Sequence, residues 1–243
     1  MNNHLSKEQQ QELQQLASIQ KKKQEALKTA TQPKAMTQLI EKQKRRGFAA
    51  ADGRIHLCCQ GDAKELLMRG LVYFCGSRAQ WLPEYEEVVA WMEDNQGKGL
   101  MCIGDCGRGK TLITQRILPM LFEKGILRNR NGNKLVYNIH TALDLLDKFK
   151  EISYGTLICI DDVGTEPCMK KFGVTHDYFP ELVDLCERRE KLLICSTNLK
   201  VEQIVGGTDD RGRTYEARYD QRTFDRLRSL TRRVFFQGDS MRE

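Results

Sequence analysis

Long hydrophobic runs are missing from the sequence. The longest apolar stretches, such as Leu157–Ile160 and Leu192–Cys195, have only four or five residues, whereas a membrane-spanning helix needs about 20. The first 30 residues are rich in glutamine and lysine and lack the apolar segment of a secretory signal. The sequence therefore predicts a cytoplasmic protein without a membrane partner.

A disulfide framework is also not indicated. The chain has nine cysteines, an odd number, and no export signal accompanies them. Cys102, Cys159 and Cys195 lie in apolar, strand-like runs, where cysteine behaves as a small hydrophobic residue. We therefore expect reduced thiols.

Excess charge of one sign is confined to the two ends of the chain. Residues 1–50 contain ten Lys/Arg and four Asp/Glu, whereas residues 51–243 contain 29 of each. The last 33 residues have nine arginines and no lysine. Basic segments are typical of proteins with an anionic partner such as nucleic acid. The alternative for the first segment is a solvated, self-repelling helix.

Three regions follow from the patterning. Residues 1–50 predict a basic helical region whose thin apolar stripe is too narrow for an independent core, so we expect it to bind a partner. Residues 51–80 predict a linker or a small mixed segment. Residues 81–243 alternate between strands and helices, which is typical of βαβ units and a parallel sheet.

The predicted strands are Gly99–Ile103, Lys134–Ile139, Thr156–Asp161, Leu192–Ser196 and Arg233–Phe236. The predicted helices are Lys110–Lys124, Thr141–Lys150, His176–Glu190 and Gln221–Leu230.

The strongest motif is a complete match to G-x-x-x-x-G-K-[ST] between a predicted strand and a predicted helix. Its glycines let successive backbone N–H groups point at phosphate oxygens, and the helix N-terminus adds partial positive charge. Lys110 is predicted to reach the β- and γ-phosphates of a nucleotide, and the Thr111 hydroxyl to ligate Mg²⁺. The predicted nucleotide-binding residues are Gly104, Asp105, Cys106, Gly107, Arg108, Gly109, Lys110, Thr111 and Leu112.

Acidic residues end the third predicted strand. Asp161 suits Mg²⁺, directly or through water, and the adjacent Asp162 suits the activation of an attacking water. The alternative is that Asp162 only caps a turn. We interpret the pair as the acidic motif of an ATPase.

Polar residues also end the next predicted strand, as Ser196-Thr197-Asn198. Ligands of open α/β sheets bind at the carboxyl ends of the strands, so Thr197 or Asn198 would contact the γ-phosphate or orient the water. The alternative is a cap between strand and helix, and spacing alone favours neither. No [NT]KxD guanine motif is present, which disfavours a GTPase.

Arginines cluster in the predicted helix Gln221–Leu230, where Arg222 and Arg226 share a face. An arginine presented to the γ-phosphate of a neighbouring subunit stabilises the charge that develops during hydrolysis, which would require an oligomer. The alternative is a basic face paired with Asp220, Asp225 or nucleic-acid phosphate.

These residues together resemble the DnaC/IstB family of AAA+ ATPases, which comprises bacterial and phage helicase loaders and transposase-helper ATPases. The match covers about residues 80–243. Its four elements are Gly104–Thr111, the turn Ile160-Asp161-Asp162-Val163-Gly164 with Glu166-Pro167, Ser196-Thr197-Asn198-Leu199, and Arg222–Arg228.

The resemblance implies an α/β, three-layer P-loop NTPase with parallel strand order 5-1-4-3-2 and a reduced or absent helical lid, preceded by a helical N-terminal region. It implies ATP and Mg²⁺ as cofactors, with Asp161 on the metal and Asp162 as the water activator. Asn198 would be the polar sensor and Arg222 the finger acting on a neighbouring subunit. Arg242 resembles a second sensor position.

The implied function is ATP-dependent loading of a replicative, DnaB-type hexameric helicase onto single-stranded DNA. Residues 1–50 would bind the helicase, the ATP-bound form would be a homo-oligomer, and the protein would act in the cytoplasm at the nucleoid. One alternative is a transposition-helper ATPase that remodels DNA and recruits a transposase. Another is a nucleotide-dependent DNA-binding adaptor with little hydrolysis.

Overall fold

A computed structural model describes Gln38 and residues 53–167, 169–171 and 174–241. Apart from Gln38, the predicted partner-binding region 1–50 lies outside the described residues, and so does Arg242. None of the described helices is long and apolar enough to cross a membrane.

Strands and helices alternate along most of the described chain. The strands are β1 Leu57–Cys59, β2 Gly99–Gly104, β3 Leu127–Asn129, β4 Tyr137–Thr141, β5 Leu157–Asp161, β6 Met169–Lys171, β7 Val174–His176, β8 Leu192–Thr197, β9 Gly207–Thr208, β10 Thr214–Tyr215 and β11 Thr231–Phe236. The helices are α1 Ala63–Cys75, α2 Tyr85–Glu93, α3, α4 Leu145–Tyr154, α5 Tyr178–Arg189, α6 Val201–Val205 and α7 Gln221–Leu230. Helix α3 consists of Lys110–Leu112, a π-helical turn Ile113–Ile117, and Leu118–Glu123.

Five parallel strands form the central sheet in the order β11-β2-β8-β5-β4. Every residue of β5 and β8 is buried, as expected for strands covered by helices on both faces. Numbered along the chain, these five strands have the order 5-1-4-3-2, so the predicted fold class is confirmed. The predicted α7 is confirmed at both ends, whereas β4 and α4 begin a few residues later than predicted.

Helices cover both faces of the sheet and give three layers. Helices α1, α2 and α3 pack on the first face, where Leu67, Trp91 and Ile113 share one apolar core with Leu100 of β2. Helices α4, α5, α6 and α7 belong to the second face, where Leu145, Phe179, Ile204 and Leu227 pack in a second core.

Residues 53–80 contribute directly to the first of these cores. Asp62 caps α1 by accepting the Glu65 N–H at 2.8 Å, and Leu67 and Leu71 face the sheet from one side of the helix. A compact unit accordingly begins at Gly53. The predicted boundary at residue 81 therefore does not separate α1 from the core around the sheet.

Candidate functional site

The phosphate-binding loop runs from the end of β2 to the start of α3. At Gly104 the backbone has φ +137°, and a Cβ atom would lie 2.0 Å from the Phe236 carbonyl oxygen. At Gly109 φ is +90°, and a Cβ would lie 2.6 Å from the Tyr85 hydroxyl. Both positions therefore require glycine, because L-residues rarely adopt such φ values and the neighbouring atoms leave no room.

Lys110 lies inside this loop. The residue is 5% exposed, and Nζ donates hydrogen bonds to the carbonyl oxygens of Gly104 at 2.9 Å and Asp105 at 2.7 Å. Burial lowers the pKa of the ammonium group below its usual value. The hydrogen bonds compensate for this burial and hold the cation within the curve of the loop.

Asp161 is the buried acidic residue of the site. Its Oδ2 accepts hydrogen bonds from Thr111 Oγ1 at 3.3 Å and Gln115 Nε2 at 2.6 Å, and its Oδ1 accepts one from the Ser196 hydroxyl. Sequence reasoning did not single out Gln115, although it follows Thr111 by one helical turn and shares its face. The structure thus brings Thr111 and Asp161 together and orients the carboxylate from two further sides.

The donor set at this point fits Mg²⁺. The Thr111 hydroxyl and the Asp161 carboxylate supply hard oxygen atoms within 3.3 Å of each other, and oxygen is the ligand type that Mg²⁺ takes in phosphate-transferring sites. Thr111 and Asp161 are therefore the residues that would hold the metal.

Asp162 is placed differently from its neighbour. Its backbone has φ +55°, and its Oδ1 accepts a hydrogen bond from Asn198 Nδ2 at 2.9 Å. The turn after β5 is closed by its backbone carbonyl, which accepts from Thr165 Oγ1 at 2.7 Å. Because the carbonyl closes the turn, the Asp162 carboxylate is not needed for capping and lies beside Asn198 at the sheet edge.

The end of β8 separates the roles of Thr197 and Asn198. Thr197 is fully buried, and its hydroxyl donates to the Val163 carbonyl at 2.6 Å and accepts from the Leu199 N–H at 3.0 Å. Thr197 therefore ties the ends of β5 and β8 together. Asn198, of the two residues considered for the sensor position, is the one that contacts Asp162.

A cleft of about 430 Å³ opens between α1, α2 and the phosphate-binding loop. Phe74 is 37% exposed there, and burial raises the pKa of Tyr85 to about 12, so its hydroxyl remains a neutral donor and acceptor. The lining residues are Leu71, Phe74, Cys75, Arg78, Gln80, Tyr85, Gly107, Gly109, Thr111, Leu112 and Met241. An apolar cleft with a few polar groups suits a planar base.

Phe74, Trp81 and Tyr85 divide between two places. Phe74 and Tyr85 line the cleft, whereas Trp81 lies under Lys64, with Nζ 5.1 Å from the ring centroid, and donates its indole N–H to Glu86. Arg78 and Gln80 were missed by sequence reasoning, since no motif contains them.

The segment after β11 crosses the phosphate-binding loop. The Phe236 carbonyl accepts the Asp105 N–H at 2.9 Å, and the Gly107 carbonyl accepts the Met241 N–H at 3.1 Å. Arg108 is paired with Glu84 at 2.7 Å, with both side chains largely buried. The Arg108 side chain is therefore bound to Glu84, the residue that immediately precedes α2.

The arginines around α7 have different surroundings. Arg226 binds Asp184 at 2.5 Å and Glu187 at 2.7 Å, and Arg218 binds Glu166 and Asp177. Arg222, in the first turn of α7, is exposed. Of these three arginines, Arg222 is the one that faces solvent.

The fold and the site together define a class. A parallel sheet of order 5-1-4-3-2 carries the phosphate-binding loop after its first strand, two acidic residues at its third and an asparagine after its fourth. This arrangement is the P-loop NTPase domain of the AAA+ type.

No protein-family model and no curated protein sequence matches the chain. Similar solved structures include DnaI, at 18% identity, 75% coverage of this chain, 86% of the other and a TM-score of 0.44. The DnaC helicase loader has 15% identity, coverages of 74% and 93%, and a TM-score of 0.40. AMPPCP-bound DnaA from Aquifex aeolicus has 17% identity, coverages of 58% and 41%, and a TM-score of 0.38. The fold assignment rests on the topology and site of this chain.

Proposed function

We propose that the protein is a Mg²⁺-dependent ATPase that loads a replicative hexameric helicase onto single-stranded DNA. The ATPase activity is proposed because four polar side chains lie together at one edge of the sheet, beside the phosphate-binding loop. Thr111 contacts Asp161, and Asn198 contacts Asp162. The helicase-loading role rests on the four motifs that resemble the DnaC/IstB family.

Nucleotide binding is supported by the loop and the cleft beside it. Backbone N–H groups between Gly104 and Thr111 and the start of α3 provide the phosphate site. Lys110 supplies a cation that exchanges loop carbonyls for phosphate oxygens. Phe74 and Tyr85 border a cleft suited to the base. Mg²⁺, when bound, would neutralise charge on the β- and γ-phosphates.

Hydrolysis is assigned to Asp162 and Asn198. Asp162 orients a water for attack on the γ-phosphate and accepts its proton, and the Asn198 amide holds the carboxylate through its 2.9 Å hydrogen bond. Gln115 and Ser196 keep the adjacent Asp161 in place. The two carboxylates therefore have separate tasks, although they are consecutive in the chain.

A second copy of the chain is proposed to supply the last catalytic group of the site. Arg222 is exposed on the second face, and we propose that it contacts the γ-phosphate bound to a neighbouring subunit in an ATP-bound homo-oligomer. The guanidinium would stabilise the charge of the transition state. Turnover would then be weak for the isolated chain and rise on assembly with DNA or the partner.

The test compares the full chain with a chain that starts at Gly53, where the compact unit begins. Each is mixed with the purified replicative helicase of the source cell, with ATP or without nucleotide. We expect the full chain to bind the helicase and transfer it to a single-stranded oligonucleotide when ATP is present, and the shortened chain to keep turnover without binding. Recovery of a transposase instead of the helicase from cell lysate would favour the transposition helper. DNA binding without measurable turnover would favour the adaptor.

A further inference from the structure

A buried network of polar side chains lies between the turn that carries Asp162 and the helix that carries Arg222. Its centre is Glu166, whose side chain is only 3% exposed. Neither the phosphate-binding loop nor the predicted metal ligands belong to it. A charged group buried so deeply requires partners on every side, and these partners belong to two separate parts of the chain.

The first contact of Glu166 is with the turn after β5. Its Oε2 accepts the backbone N–H of Gly164 at 2.8 Å, two residues beyond Asp162. Asp162 itself has φ +55°, which is uncommon for a residue other than glycine. The carboxylate of Glu166 thus helps to hold the turn in which Asp162 presents its side chain.

The second contact is with the segment that leads into α7. Glu166 Oε1 accepts a hydrogen bond from Arg218 Nη2 at 3.0 Å and another from the Tyr219 hydroxyl. Arg218 Nη2 also donates to the Glu166 backbone carbonyl at 2.8 Å. The next residue, Asp220, caps α7 by accepting the Thr223 N–H at 2.8 Å. Arg222 follows in the first turn of that helix.

We infer that Glu166 is a positioning residue that couples the Asp162 turn to Arg222. Each oxygen of its carboxylate is bound to a different part of the site, so a shift of the turn displaces the start of α7. A buried ion pair often adds little net stability compared with apolar packing, so stability alone does not account for this arrangement. The inference rests on the proposed trans role of Arg222.

Asp177 provides a matched control within the same network. It binds Arg218 Nη1 at 2.9 Å, but it lies at the start of α5 rather than in the turn. Replacing Asp177 with Asn removes a carboxylate from Arg218 and leaves the Glu166 contact with Gly164 in place. A purely stabilising network would respond in the same way to the loss of either carboxylate.

The experiment mixes two full-length variants. The donor, Asp162→Asn, keeps Arg222 and binds ATP but does not hydrolyse it. The acceptor, Arg222→Ala, keeps its nucleotide site and Asp162 but has no arginine to offer. ATP turnover of the mixture, assembled on single-stranded DNA, measures donation of Arg222 from one chain to the other. Glu166→Gln or Asp177→Asn is then added to the donor alone, and thermal unfolding is recorded for each chain.

We expect Glu166→Gln in the donor to lower the recovered turnover by about fivefold or more, because a misplaced catalytic group loses rate steeply. With Asp177→Asn in the donor, most of the recovered turnover should remain. Tyr219→Phe, which removes one hydroxyl, should cause a smaller loss and serves as the test if the Glu166→Gln chain does not fold.

The coupling would be overturned if the Glu166→Gln donor restored as much turnover as the parental donor, or if Glu166→Gln and Asp177→Asn caused equal losses. Either result would leave the ATPase proposal intact. Absence of recovery in the parental mixture would instead refute the trans role of Arg222, and the coupling would be rejected with it.

Discussion

The two faces of the sheet differ in what their polar side chains contact. On the face covered by α1, α2 and α3, Lys110 binds loop carbonyls and aromatic residues border the cleft. On the opposite face, Arg218 and Arg226 are tied to carboxylates of other elements. The first face therefore carries the proposed nucleotide site, and the second carries the ion pairs around the helix of Arg222.

Asp161 and Asp162 show the same division within two residues. Asp161 is 5% exposed and accepts hydrogen bonds from Thr111, Gln115 and Ser196. Asp162 is more exposed and contacts Asn198. Asp161 is therefore held in one orientation by its neighbours, whereas Asp162 is more accessible, which agrees with the separate roles proposed for them. Variants on each side should therefore separate nucleotide binding from turnover and turnover from assembly.

The largest effect is expected for Lys110→Ala, which removes the cation of the first face. Nucleotide affinity should fall by about 10²–10⁴-fold, since two or more charge-assisted hydrogen bonds to phosphate are lost, and turnover should fall with it. Fluorescent-nucleotide titration measures the affinity. Lys124→Ala, at an exposed position after α3, is the control, and an equal loss there would contradict the assignment.

Asp162→Asn should separate binding from chemistry. We expect turnover to fall by about 10²–10⁴-fold because the general base is lost, while nucleotide affinity remains close to that of the wild type. Single-turnover hydrolysis and titration are measured on the same preparation, with and without DNA. Turnover near the wild-type rate would exclude Asp162 as the base.

Arg222→Ala tests the second face. Turnover of the assembled protein should fall by about 10³-fold, as for the loss of an arginine that contacts the γ-phosphate, whereas nucleotide binding by the dilute chain should not change. Arg228→Ala, exposed on the same helix, is the matched control. Unchanged turnover of Arg222→Ala in the assembled state would remove its proposed role.

Phe74→Ala tests the cleft on the first face. Loss of a stacking surface should weaken ATP binding by about fivefold and leave the turnover of saturated enzyme unaffected. Tyr73→Ala is the control, because the Tyr73 side chain is next to Phe74 in the chain but is 76% exposed and does not line the cleft. If both variants bind ATP equally well, the base lies elsewhere.

The smallest effect concerns the start of α4 on the second face. Hydrogen bonds from the Thr141 backbone and from Lys148 lower the pKa of Asp144 to about 2. Its stabilising contribution is therefore present above the unfolded pKa near 3.8 and is lost as the pH falls towards 2. Asp144→Asn should cost at most about 1 kcal/mol at pH 7. Thermal unfolding at pH 7 and at pH 3 checks this, with Asp147→Asn as the control.

Motif residues were the most predictable part of the site. Lys110 and Thr111 are fixed by a contiguous loop, and Asp161, Asp162 and Asn198 follow buried strands whose carboxyl ends meet at one edge. Helices α1 and α2 were not predicted. Gly70, in the middle of α1, lies so close to Ile117 that a Cβ atom would be 2.7 Å from its side chain, and this packing requirement is not visible in a local pattern.

Contacts between distant residues were also beyond prediction. Glu166 and Arg218 are 52 residues apart, and no spacing rule relates a carboxylate in a turn to an arginine before a helix. The same holds for Arg78 and Gln80, which line the cleft only because α1 packs beside the phosphate-binding loop.

By itself, the sequence determined the phosphate-binding loop, the acidic pair after β5 and the alternation of strands and helices, because these depend on short-range geometry and side-chain periodicity. The tertiary structure decided which aromatic residues border the cleft, that Arg222 faces solvent while Arg226 is paired, and how Glu166 connects the Asp162 turn to α7. Those features depend on the packing of elements far apart in the chain, where burial and hydrogen bonding select one partner among many.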